Sequence, residues 1–377
     1  MRGWKIGSFG GIDIEINYTW LFLFALLTWS MSVHLRHAQE GLTEWVYWTG
    51  GVLTSLLFLA SVLAHEMSHS LVARSLGMGV KRITLFIFGG VSQIEEEPRT
   101  PRIELLMTVV GPGTSAVLGV IFTGLARMGQ LSLGWPPLVV SGLQLIGYIN
   151  LALAVFNLLP AFPLDGGRLL RSALWSAWND EYRATQVATA LGSGLGTLMM
   201  ITGGAFFLLL GNSVQGIWFL FLGWLILSAA RQSAQMNEYK FRLSGLQAGQ
   251  VMFWPLVSIP VGMRLSEALH SPVSATGQPL YPVVDLSGQA VGVLDHRSLT
   301  HVTPAQWAEL SVGEVMSPLE PEMQIQAHEP VTQALTRLGS GREWLLVISP
   351  ENRPVGVVTE QSIVRAAGRR GPATSPR

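Results

Sequence analysis

Residues 51–73 read GVLTSLLFLASVLAHEMSHSLVA, a run that would be ordinary membrane helix but for His65, Glu66 and His69. Ionisable side chains are expensive in hydrocarbon, and where they occur in a span they mark function. The spacing H-E-x-x-H puts two histidines four residues apart on one helix face. Both can grip one metal ion there, with the intervening glutamate beside a bound water. The chain holds only 8 histidines in 377 residues, so the odds of a chance match are below about one in a hundred. The first expectation is a metal-dependent hydrolase whose active site lies inside the bilayer. The alternative is a pair of polar residues packed between helices.

Composition agrees with a membrane setting. Charged residues make up 13% of the chain, against about 25% in a typical soluble domain. The deficit is concentrated in residues 18–230, whereas 231–377 resemble ordinary soluble protein, so a membrane domain followed by a soluble tail is the simplest account. Trp20, Trp45, Trp48, Trp135, Trp175, Trp178 and Trp218 fall near the ends of apolar runs, as interfacial belts favour. The absence of cysteine excludes disulfides, thiol nucleophiles and thiolate ligands. A formal net charge of zero argues against a nucleic-acid role. The opening segment MRGWKIGSFGGIDIEINYTW lacks the apolar run and cleavage site of a leader, so it reads as mature protein with the first span as its own insertion signal.

Six segments approach the length needed to cross about 30 Å of hydrocarbon: residues 18–33, 47–72, 103–126, 137–159, 187–210 and 217–230. Basic residues alternate between the connections. Arg2 and Lys5 precede the first span, and Arg36 alone follows it. Arg74, Lys81, Arg82, Arg99 and Arg102 follow the second, and Arg127 alone the third. Arg168, Arg171 and Arg183 follow the fourth, none follows the fifth, and Arg231, Lys240 and Arg242 follow the sixth. By the positive-inside rule both termini are cytoplasmic. Between the second and third spans, Ile83–Phe88, Gly89-Gly90 and Val91–Ile94 read as a short hairpin. It is either a strand edge beside the active site, able to pair with an extended peptide, or a surface hairpin tucked against the helices.

A catalytic zinc takes three protein ligands and keeps one position for water, so HExxH needs a partner. Asp165, in NLLPAFPLDGGRLLRSALW, is the best candidate. His65 lies nine residues before Arg74 and Asp165 three before Arg168, which puts both within about 14 Å of the cytoplasmic surface at 1.5 Å per residue. Pro160 and Pro163 break the helix ahead of Asp165, and Gly166-Gly167 let the chain turn tightly around a ligand. Irregular backbone at that depth belongs in a buried or wet cavity. Glu66 then takes the acid/base role. Asn150 and Asn157 project from similar faces of the fourth span, either toward substrate and the oxyanion or as interhelical amides. Two imidazoles and a carboxylate favour one zinc ion per chain over cobalt or iron.

His65-Glu66-Met67-Ser68-His69, followed by Asn157 through Pro160 to Asp165-Gly166, resembles the site-2 protease family of intramembrane zinc metalloproteases. Within it the chain resembles the six-helix subgroup with C-terminal tandem CBS modules. The resemblance implies that His65, His69 and Asp165 bind zinc and that Glu66 is the catalytic acid/base. A glycine-proline motif of the family's third span is Gly111-Pro112, and Thr114-Ser115 stand where the family often has asparagine. The implied activity is cleavage of single-span membrane proteins within or near their membrane segment. Targets of that class include an anti-sigma factor, a pro-sigma precursor, a membrane-tethered transcription factor or a signal-peptide remnant.

In the tail, YPVVDLSGQAVGVLDHRSL (281–299) aligns with WLLVISPENRPVGVVTEQSI (344–363). Both halves resemble CBS modules, and Gly313-Glu314-Val315-Met316 matches the usual start of the second. The family's inter-module cleft implies ATP or AMP near Asp295 and Thr359. Ser298 and Ser362 depart from the aspartate usual three residues on, so a structural or dimerising module stays open beside a nucleotide site. The expected fold is a polytopic α-helical membrane protein with six transmembrane helices and a C-terminal α/β CBS-pair domain. Its parts are a metalloprotease domain over 1–232, CBS modules over about 246–305 and 311–368, and a disordered tail over 369–377. The competing reading, a CBS-regulated transporter or channel, requires repeated halves with broken helices, which the sequence lacks. The expected setting is the inner (plasma) membrane.

Overall fold

The computed structural model describes residues 3–86, 89–94, 97–209, 211, 213–270, 278, 280–300, 302–303, 306–339 and 342–369. The chain divides into two units, Met1–Asn237 and Glu238–Arg377.

The first unit is built on helices. In chain order they are α1 Thr19–Ala38, α2 Glu44–Ser75, α3 Pro101–Met128, α4 Pro137–Asn157, α5 Asp165–Trp178, α6 Glu181–Leu208 and α7 Ser213–Leu243, the last reaching past the unit boundary. Among the described residues five are long and apolar enough to cross a membrane: α2, α3 with its continuation to Leu133, α4, α6 and α7. The expected first span, α1, is a helix of 20 residues that does not join them. Ser30, Ser32, His34, Arg36 and His37 make its second half polar, and its buried face, Thr28, Met31, Ser32 and Leu35, is half polar too. The expected end of the last span at residue 230 is where charge resumes, yet the helix itself continues to Leu243.

Lipid cannot drive helix association by the hydrophobic effect, so close backbone approach at small residues does much of that work. A methyl on Gly51 would stand 2.7 Å from the Thr28 carbonyl oxygen, which marks the α1–α2 crossing. Methyls on Gly196 and Gly203 of α6 would stand 2.7 and 2.6 Å from the Leu227 and Leu220 nitrogens of α7.

A four-stranded sheet of β1 Trp4–Phe9, β2 Ile12–Ile16, β3 Val80–Phe86 and β4 Gly89–Ile94 lies beside α2, in that order. β1 and β2 form an antiparallel hairpin across Gly10 and Gly11, whose φ of 57° and 74° is the left-handed region glycine tolerates. β2 pairs in parallel with β3, Asp13 opposite Arg82 and Ile16 opposite Leu85. The hairpin read at 83–94 is present but shifted. β3 begins at Val80, and Gly89 and Gly90 are the first residues of β4, opposite Phe86 and Leu85. Ile87 and Phe88 lie outside the described residues. Ile12, Ile83 and Leu85 bury against Met67 of α2, with Trp20 and Leu63 alongside. That packing fixes the sheet at the level of the HExxH motif.

The second unit repeats one pattern twice. Strand β6 Tyr281–Val284 pairs in parallel with β5 Ile259–Pro260 and antiparallel with β7 Ala290–Leu294. Likewise β10 Trp344–Ile348 pairs in parallel with β9 Gln324–Gln326 and antiparallel with β11 Pro354–Thr359. The halves exchange their leading segments. β8 Ser317–Pro318 joins β7 of the first half, and Phe253 bridges to Val357 of the second. The closing helix Glu360–Arg369 takes in Gly368 and Arg369; residues 370–377, part of the tail expected to be disordered, lie outside the described residues.

Candidate active site

His65 and His69 sit one turn apart on α2, both buried, with Nε2 atoms 3.3 Å apart. Asp165 opens α5, and its Oδ2 lies 3.2 Å from His65 Nε2 and 3.3 Å from His69 Nε2. The chain reaches this point because α4 stops at Asn157, and the stretch with Pro160 and Pro163 leads into α5 at Asp165. Gly166 and Gly167 serve by close approach rather than by a special turn. A methyl on either would collide with the backbone of residues 158–162, so the first turn of α5 is wedged against that loop.

The donor set fits zinc. Ligands about 2.0–2.1 Å from a tetrahedral ion stand about 3.3–3.4 Å from one another, close to all three observed separations. The hydrogen-bond chemistry agrees. His69 Nδ1 lies 2.7 Å from the Met107 carbonyl oxygen, which can only accept. Nδ1 therefore carries a proton, and Nε2, which faces Asp165, is the nitrogen left to bind a metal. His65 Nδ1 lies 2.9 Å from Ser115 Oγ, an arrangement that orients the ring in the same way. Among the described residues this is the one cluster of three metal-binding side chains.

Glu66 stands beside the cluster. Its Oε2 accepts a hydrogen bond from Ser92 Oγ of β4 at 3.3 Å, and Ser92 Oγ in turn accepts from Ser70 Oγ at 2.9 Å. A methyl on Gly90 of the same strand would stand 2.5 Å from Glu66 Cγ. The strand thus runs directly against the glutamate.

The asparagines differ from one another. Asn150 is fully buried and its Nδ2 donates to the Ile146 carbonyl of its own helix at 2.9 Å. Asn157 is half-buried at the last turn of α4. Sequence reasoning missed Met107, Gly111 and Ser115 as neighbours of the histidines. Gly111 leaves room for both rings: a methyl there would stand 2.8 Å from His65 Nε2 and collide with His69. The available signal was their spacing, which places all three on one face of α3.

In the second unit a cleft of about 530 Å³ is lined by Phe253, Arg342, Thr359, Glu360, Ser362 and Arg365, among others. Thr359 Oγ1 accepts from the Ser362 N–H at 3.2 Å. Asp295 instead accepts from the Ser298 N–H and hydroxyl, both at 2.9 Å, capping a short helix.

A helix-borne His-Glu-x-x-His completed by a carboxylate from a second helix, in a chain with membrane-length apolar helices, defines a membrane-embedded zinc metalloprotease. The profile of Peptidase family M50 matches residues 53–132 and 135–201, and that of the CBS domain matches 312–369. Rip3 of Mycobacterium tuberculosis strain H37Rv, which carries a zinc metalloprotease name, is 31% identical over 361 residues, covering 96% of this chain and 91% of its own. The similarly named sll0528 of Synechocystis sp. is 32% identical over 366 residues, covering 96% and 94%. The site-2 protease from Methanocaldococcus jannaschii is 26% identical, with a TM-score of 0.41 over 62% of this chain and 95% of that one. The chain belongs to Peptidase family M50, the site-2 proteases, and is a zinc metalloprotease.

Proposed function

We propose that the protein cleaves single-span membrane proteins within or near their membrane segment, from a site open to the cytoplasm. His65, His69 and Asp165 hold the zinc, and Glu66 is the acid/base. One observation carries the reading: three converging ligand atoms separated by 3.2–3.3 Å, two of them on an apolar helix of 32 residues.

The zinc, when bound, supplies Lewis-acid activation of water and of the peptide carbonyl. Glu66 accepts the proton of the attacking water and returns it to the leaving amine. Ser92 donates to Glu66 and holds one carboxylate oxygen in place. A helical peptide bond has its carbonyl occupied, so the substrate must unwind before attack. The outer edge of β4, beside Glu66, is a surface on which the unwound stretch can pair. Asn157 at the end of α4 is a candidate contact to substrate, whereas Asn150, sealed and bonded within its own helix, fits a structural role better.

The setting is a six-span inner-membrane protein with both termini cytoplasmic, α1 providing the first span. The repeated second unit is a regulatory CBS pair, and the cleft lined by Thr359 and Arg365 is the adenine-nucleotide site. Such pairs also offer a surface for homodimerisation. Substrates are of the anti-sigma, pro-sigma or signal-peptide-remnant class.

The test is co-expression of candidate single-span substrates with the intact protein or with Glu66→Gln. Product formed by the intact chain and lost in the variant is expected. Cleavage at full rate by Glu66→Gln overturns the mechanism.

A further inference from the structure

Asp165 comes from α5, while the two histidines come from α2, so something must hold these helices in common register. The wedge at Gly166 and Gly167 ties α5 to its own preceding loop. It does not tie α5 to α2.

The link is a buried ion pair one helix away. Glu104, in the first turn of α3, is fully buried. Arg171 of α5 grips it, with Nε at 2.9 and 3.0 Å from the two carboxylate oxygens and Nη2 also bonded to Oε1. Arg168 Nε stands 3.6 Å from the same carboxylate. Arg168 and Arg171 follow Asp165 by three and six residues, so the anchor grips the helix just after the ligand. A buried carboxylate held by a forked guanidinium is directional as well as strong. The Arg171 guanidinium also lies over the Phe162 ring, 5.9 Å from its centroid, and so holds the loop ahead of Asp165.

The anchor lies on the face of α3 that meets the histidines. Glu104, Met107, Gly111 and Ser115 are spaced by three, four and four residues, so they form one stripe along the helix. Met107 fixes the His69 ring, Ser115 the His65 ring, and Gly111 leaves space for both. We infer that Glu104 is a positioning residue of the metal centre. Through Arg171 and Arg168 it sets Asp165 against the same helix that sets both histidines. The inference rests on the reading of His65, His69 and Asp165 as metal ligands.

The experiment uses the full chain in detergent, stripped of metal. Zinc affinity is measured by competition with a chromophoric chelator, and the site is inspected by the visible spectrum of the cobalt-loaded protein. Glu104→Gln is expected to weaken zinc binding about 10–100-fold and to alter the cobalt bands. In an Asp165→Ala background the same substitution is expected to cost nothing further, because its target is gone. Equal losses in both backgrounds, or none in either, overturn the inference. Should Glu104→Gln fail to accumulate, Arg171→Lys carries the same cycle, since it keeps the charge and loses the fork. A wild-type chain that takes up no zinc sinks the metal-site reading itself, whereas normal wild-type uptake with unaltered Glu104→Gln sinks only the inference.

Discussion

Gly111→Ala puts the geometry of the site at risk with a single methyl group. The added carbon would stand 2.8 Å from His65 Nε2 and closer still to His69 Nε2 and Cε1. A relaxed contact of this kind lies near about 3.5 Å, so the His65 ring must retreat by about 0.7 Å and the His69 ring further. Metal ligands tolerate about 0.2 Å. Zinc affinity and cleavage rate are each expected to fall at least about 100-fold. Overpacking costs about 1–3 kcal/mol, and replacing a helical glycine returns about 0.5–1 kcal/mol, so the protein is expected to fold. Gly113→Ala is the matched control. It lies two residues on in the same helix, and a methyl there meets no atom within 4 Å. The assay compares zinc affinity and cleavage of a co-reconstituted substrate for the two variants. If Gly111→Ala binds and cleaves as Gly113→Ala does, the packing argument is refuted.

Ser115→Ala removes the partner of His65 Nδ1 and is expected to weaken zinc binding about 10-fold, measured by chelator competition. Ser92→Ala removes the donor to Glu66 and is expected to lower kcat about 2–10-fold, roughly the worth of one hydrogen bond, with zinc content unchanged by elemental analysis. In the second unit, the Ser311 N–H and hydroxyl each donate to Glu314 at 2.7 Å and hold its carboxyl below the ordinary glutamate range. A depressed folded pKa contributes stability that is present above the unfolded value of about 4.3 and lost as pH falls through the folded one. The difference in Tm between wild type and Glu314→Ala is therefore expected at pH 7 and to shrink in acid. A difference that widens on acidification contradicts the assignment.

Much of the site was legible because its chemistry is confined to a few residue types in an apolar background. His65, Glu66 and His69 stand out by their cost, and the alternation of arginine and lysine puts Asp165 at a matching depth although it is remote in sequence. The neighbours were harder to read. Met107 acts through its carbonyl, which no side chain announces, and Ser115 and Ser92 are common residues whose meaning depends on helix rotation and strand register. Gly10-Gly11 between IGSF and IDIEI is a turn flanked by strand-like residues, a short hairpin signal that the long apolar runs beside it overshadow. Glu104 and Arg171 looked like ordinary residues at the ends of apolar runs. They are 67 residues apart in sequence, and only the packing of α3 against α5 joins them.

The stripe on α3 ties the life of the metal to the life of the fold. The three side chains proposed as ligands all lean on that one helix, the histidines directly and Asp165 through Arg171 and Arg168, so a shift of α3 reaches all of them. Loosening of its first turn, where Glu104 sits, would be felt at once in the coordination sphere. Release of zinc should then coincide with the onset of heat inactivation. A chromophoric chelator present during a temperature ramp would report the failure of the membrane unit before any change in helix content.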